Sequence, residues 1–155
     1  MKFLYHGSGY KHSELKPGIH HTGKLQRWDN TESNEWLYAT TMREEAIAQG
    51  LASVIEKNWS LTRFQSTDRS IVIYIDGTVP TYADIVKLTV YLYVIQWDDA
   101  HWTKVDNVSN GMESEYKTKT TIPSSLIESC EPVDLTKWLR GKTLTIKQNP
   151  NAMAW

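Results

Sequence analysis

The chain has a single cysteine, Cys130, in 155 residues. That excludes an internal disulfide framework and any cysteine-based zinc site, and it makes a reducing cytosol the expected compartment. Long apolar runs are missing, because no stretch approaches the roughly 20 consecutive residues that span a bilayer. The opening Met1-Lys2-Phe3-Leu4-Tyr5 runs straight into His6 and Gly7, too little apolar sequence for a signal peptide. Neither charge is in excess, with 17 basic and 18 acidic residues interspersed, so a broad cationic face for duplex nucleic acid is not expected. Glycine is sparse, and neither a Walker nor a Rossmann phosphate pattern occurs. Phenylalanine is scarce, at two residues, and seven tryptophans and eight tyrosines take its place. Amphipathic rings of that kind suit a core and cleft able to stack on flat heterocycles.

The length and an apolar content of 40% are enough for one core and too little for two, so residues 1–147 are expected to form a single domain, with 148–155 as a loose tail. Residues 2–6 read as a short opening strand broken by Gly7 and Gly9. Residues 13–34 are polar and punctuated by Pro17, Gly18 and Gly23, which predicts a long loop bordering a site. Residues 36–39 read as a second strand. Thr41-Met42-Arg43-Glu44 then has the form of a capping box, and Ala46, Ile47, Leu51, Val54 and Ile55 continue it with helical spacing. Residues 70–75 and 88–97 are β-branched and aromatic runs that predict interior strands, with a turn at Asp76-Gly77 and a helical turn over 83–86 between them. Strands over 114–119 and 124–129 flank Pro123, a short helix follows over 133–139, and residues 143–147 read as an edge strand.

Three short blocks stand out against this background: Tyr5-His6-Gly7-Ser8, Trp36-Leu37-Tyr38-Ala39-Thr40-Thr41 and Glu113-Ser114-Glu115-Tyr116. Their order, and the helix that follows the second, resemble the ADP-ribosyltransferase superfamily of the diphtheria-toxin and poly-ADP-ribose-polymerase type. That type carries a His, a Tyr and a Glu on separate strands. The small antibiotic-modifying ADP-ribosyltransferases are similar in length and in the first two blocks. The resemblance covers most of residues 1–130. It implies an α+β fold, with a split, twisted mixed β-sheet, few helices and an NAD cleft between the halves of the sheet.

It also implies roles. Nicotinamide leaves NAD as a neutral group while positive charge develops on the ribose, so little proton transfer is needed. A carboxylate at the ribose 2′-hydroxyl stabilises that charge, a contribution of about 3 kcal/mol for a well-placed group. Carried over from the family pattern, Glu115 takes that part. His6 contacts the adenine-side ribose, the Gly7 backbone bonds the carboxamide, and Tyr38 stacks on the nicotinamide. Ser8 and Thr40 add hydroxyl contacts. NAD is then a substrate, no metal is called for, and the acceptor is a protein, a nucleic acid or a small molecule. A nucleotide- or partner-binding protein on the same fold, such as a phage or host defence antagonist, and an NAD glycohydrolase are the alternatives.

Each residue also has an ordinary explanation. A lone histidine at a strand end is commonly structural, a tyrosine beside Leu37 is commonly core, and a glutamate in a polar segment commonly faces water. Glu113 gives Glu113-Ser114-Glu115 the Glu-x-Glu form of the arginine-modifying branch, but that branch has an Arg strand and a Ser-Thr-Ser block where this chain has His6 and Tyr38. Glu113 therefore reads as a loop residue after Gly111. His12 with His20 and His21 makes a poor ligand set, and Asp98-Asp99-Ala100-His101 reads as a solvated turn.

Overall fold

Alternating burial along the strands organises the chain, in a computed structural model that describes residues 2–17, 36–105 and 115–149. The elements run β1 (Phe3–Ser8), β2 (Leu37–Thr40), α1 (Arg43–Asn58), β3 (Ser60–Ser66), β4 (Ser70–Asp76), α2 (Tyr82–Val86) and β5 (Tyr91–Gln96). They continue with β6 (Thr103–Lys104), β7 (Glu115–Thr118), a 3-10 turn (Ser124–Leu126), β8 (Ile127–Pro132), α3 (Leu135–Trp138) and β9 (Thr143–Gln148). The class is α+β with few helices. One sheet has the order β6-β7-β2-β1-β5-β8 and the other β3-β4-β9. Every pairing in the larger sheet is antiparallel. The parallel pairing, β4 with β9, belongs to the smaller sheet.

Helix α1 lies between the two sheets, which is why it is apolar on more than one side. Leu51, Val54 and Ile55 join Leu61, Ile71, Ile73 and Ile75 over the smaller sheet. Ala46 and Ile47 pack with Leu92 against the larger one. The far face of the larger sheet carries Leu4, Leu37, Ala39, Tyr93 and Ile95 and is covered by Leu15, Trp102 and Ile122. A fully buried Leu or Ile contributes about 1.5–3 kcal/mol, so the α1 sandwich is a major part of the stability. The approach of α1 to β1 is closer than side chains allow. A Cβ on Gly7 would stand 2.0 Å from the Ala46 carbonyl oxygen, and one on Gly50 would stand 2.9 Å from the Gly7 carbonyl carbon.

Several expectations need correction. The capping box at Thr41 does not form, because the N-cap of α1 is Met42 with no side-chain bond. Met42 N donates instead to Thr40 Oγ1 at 3.0 Å. Glu44 accepts from the Trp138 indole across the fold, which removes it from the helix end. A capping box does form on α2, between Thr81 and Asp84. The run 88–97 is strand only over Tyr91–Gln96, and residues 124–129 begin as the 3-10 turn before β8. β3 was not expected. The polar segment 13–34 is not all loop: Leu15 is fully buried and bridges Ile122, while residues 18–34 lie outside the described residues. The supposed tail begins inside β9, and Asn149 is buried with its N–H donating to Ile75 O at 2.7 Å. Residues 150–155 lie outside the described residues.

Candidate functional site

Residues directly opposite in antiparallel strands point to the same face. Tyr5 pairs with Thr40, and Thr40 pairs with Glu115, so these three form one row across β1, β2 and β7. Tyr38 and its partner Lys117 lie two residues further along the same face. Helix α1 covers this face. From it Gln49 Nε2 donates to Glu115 Oε2 at 3.3 Å. Thr40 and Glu115 are fully buried, and Tyr38 is 2% exposed.

His6 leaves β1 from the other face, with Leu4 and Ser8, in keeping with the alternating burial of the strand. β1 pairs with β5 at six positions but with β2 at one, Tyr5 to Thr40. No further register pair joins the two strands. The His6 imidazole bonds β2 beyond that pair, with Nδ1 2.6 Å from the Tyr38 carbonyl oxygen. A carbonyl only accepts, so Nδ1 carries the proton of this bond. The His6 ring also stands 5.9 Å from Tyr93, tilted by 52°.

Tyr93 anchors the segment after β1. Its hydroxyl accepts from His12 N at 2.8 Å and donates to Tyr10 O at 2.6 Å. Burial pushes the phenol well above its ordinary range, against a smaller opposing pull from the His12 N–H, so it remains a donor. Ser8 Oγ accepts from Tyr10 N at 3.1 Å. The Lys57 ammonium lies 3.1 Å from the Tyr10 ring centroid.

No family model, curated protein or solved structure matches the chain. The site therefore stands on its own geometry. Of the expected residues, His6, Tyr38 and Glu115 arrive on three adjacent strands, β1, β2 and β7. Tyr38 and Glu115 share a face. His6 meets Tyr38 through its backbone and is separated from the Glu115 side by the sheet. Gly7 is required by packing, since its Cα faces Ala46 and Gly50. Ser8 is 1% exposed and bonds the chain just after it. Glu113, Gly111, His20 and His21 lie outside the described residues.

Asp98 accepts from Ala100 N at 2.9 Å and binds His101 Nδ1 at 2.5 Å. The backbone bond first, and then His101, hold its carboxyl below the usual range, as a turn would. Among the described residues no group of three or more His, Cys, Asp or Glu side chains is placed to hold a metal ion. Nor is any helix among them long and apolar enough to cross a membrane.

Sequence reasoning missed Gln49, Gly50 and Tyr93 as parts of this site. A glycine inside an otherwise helical pattern costs about 1 kcal/mol against alanine, and that is the signal by which Gly50 could have been found as a close approach. Nothing in the pattern identified the polar atoms that Gln49 and Tyr93 would reach.

Proposed function

We propose that the protein is an enzyme of the ADP-ribosyltransferase type, moving ADP-ribose from NAD to an acceptor. The observation that carries this reading is the adjacency of β7, β2 and β1, bearing Glu115, Tyr38 and His6, with β1 and β2 joined by one register pair. An interrupted pairing beside the Tyr38 ring, one row from a buried carboxylate, suits a ligand with a flat base and a ribose. In this reading Glu115 accepts from the ribose 2′-hydroxyl and stabilises the positive charge that develops as nicotinamide leaves. Tyr38 offers an aromatic face to the nicotinamide. His6 lies on the opposite face, hydrogen-bonded to β2 through Nδ1, and in this reading contacts the second ribose only where β1 and β2 separate to admit the ligand. Gly7, Ser8 and Thr40 complete the cleft wall.

A second reading is favoured by burial. Glu115, Tyr38 and His6 are 0%, 2% and 7% exposed, so NAD reaches them only if side chains move. A protein that captures a nucleotide or a partner without turnover fits that closure. Incubation with NAD while free nicotinamide is followed by chromatography separates the two readings. Nicotinamide release supports transfer or hydrolysis, and NAD binding by calorimetry without release supports capture. His6→Ala weakens NAD binding in both, and unchanged affinity would remove the first block from the site.

A further inference from the structure

We infer that Gln49 is a positioning residue for the Glu115 carboxylate, an inference that rests on the reading of Glu115 as the ribose-facing acid. Glu115 is fully buried at the start of β7, and an ionised carboxylate in such a place needs donors to replace water. Gln49 Nε2 provides one at 3.3 Å. A carboxylate only accepts, so the amide nitrogen, rather than its oxygen, faces Glu115. Among the described residues this face also carries Thr40 and Tyr38 of β2, Tyr5 of β1, Leu92 of β5, Lys117 two residues along β7 and, opposite Lys117, Thr103 of β6.

What distinguishes Gln49 from a chance neighbour is the way its height above the sheet is set. The next residue, Gly50, lies against Gly7 so closely that a Cβ on either would overlap the other's segment. Helix α1 is thereby held against β1 by backbone contact, and β1 is tied to β2 and β7 through the row Tyr5, Thr40, Glu115. The amide of Gln49 is delivered to the carboxylate by two rigid elements, which is how a supporting group fixes a reacting one. A bond made from one side of a carboxylate orients the remaining oxygen lone pairs. Gln49 thus aims Glu115 without itself touching NAD.

The test is a set of variants in the full chain: Gln49→Met, Gln49→Lys and Glu115→Gln. Methionine keeps the shape and removes the donor, whereas lysine keeps a donor and changes the shape. A positioning role predicts that Gln49→Met lowers kcat for nicotinamide release roughly tenfold, with KM for NAD within about twofold of wild type. It predicts that Gln49→Lys restores most of that kcat. A packing role predicts the reverse order, with methionine like wild type and lysine impaired, and that result overturns the inference. A double-mutant cycle in urea between Gln49→Met and Glu115→Met gives a readout independent of activity. The expected coupling is about tenfold in the folding constant, and no coupling overturns the inference whatever the kinetics. If Glu115→Gln releases nicotinamide at the wild-type rate while the coupling is present, the reading of Glu115 as the ribose-facing acid fails instead, and Gln49's part in turnover fails with it.

Discussion

Replacing Gly7 by alanine places a methyl group 2.0 Å from the Ala46 carbonyl oxygen and 2.9 Å from its carbon, where ordinary van der Waals contact begins at 3.4 Å. Both obstacles are backbone, and an alanine has no rotamer with which to escape. Helix α1 must retreat from β1 by more than 1 Å, opening the Ala46, Ile47 and Leu92 packing. Overpacking of this kind costs about 3 kcal/mol or more. Gly50→Ala is milder. Its Cβ meets Val90 Cγ1 at 2.7 Å, a side chain that can turn, and the Gly7 backbone at 2.9 and 3.0 Å. The strain of about 1–2 kcal/mol is offset by a gain of about 1 kcal/mol when alanine replaces glycine inside a helix. For a chain of this size each kcal/mol moves Tm by about 2–4 °C. Gly7→Ala is therefore expected to melt about 6–12 °C lower, and Gly50→Ala less than about 4 °C lower. Circular dichroism melts and urea titrations measure both. A Gly7→Ala protein as stable as wild type, or a Gly50→Ala protein worse than it, would refute the close helix-strand approach.

Tyr93→Phe removes the hydroxyl that holds Tyr10 O and His12 N, and is expected to cost about 1–2 kcal/mol. Hydrogen exchange should quicken at residues 10–12 while the β1–β5 amides stay protected, and uniform exchange would contradict the latch. Thr81→Ala tests the cap of α2: the Thr81 backbone bond, and then its hydroxyl, hold the Asp84 carboxyl below the usual range. A lowered folded value means stability present above the unfolded value, about pH 4, and lost as pH falls through the folded one. The variant should lose the part of the wild-type acid-limb dependence that comes through the Thr81 hydroxyl, as followed by melts between pH 2 and 5. Glu45 is the opposite case, since burial and then Asp68 push its carboxyl up. Its ionisation costs stability as pH rises through the folded value, so Glu45→Gln should raise Tm at pH 7 and leave it unchanged well below pH 4. A lower Tm at pH 7 would contradict this.

The opening strand was legible, but its end was not: β1 runs through Gly7 to Ser8, because Gly7 is paired with Leu92 of β5 and packed against α1, rather than ending at His6. The α1 periodicity was legible, since Ala46, Ile47, Leu51, Val54 and Ile55 are all buried. β3 was not. Ser60–Ser66 has few apolar residues, and its extension comes from pairing with β4 rather than from its own composition. The start of α1 was misread because Glu44 had a partner, Trp138, 94 residues away, which no local pattern contains. That His6, Tyr38 and Glu115 stand on three separate strands was legible. Their faces follow from strand register, which shows Tyr38 with Glu115 and His6 opposite, and register is set by long-range pairing. Gln49 was invisible for the same reason: its meaning depends on how close α1 comes to β1.

The central claim is that Glu115 stabilises charge on a ribose as nicotinamide leaves. The most direct measurement is the rate of nicotinamide release at saturating NAD by wild type and by Glu115→Gln, which keeps the size of the side chain and removes its charge. The expected result is release by the wild type, a loss of at least about a hundredfold in the variant, and NAD affinity largely retained. Release by Glu115→Gln at near the wild-type rate, or none by the wild type in the presence of bound NAD, would contradict it.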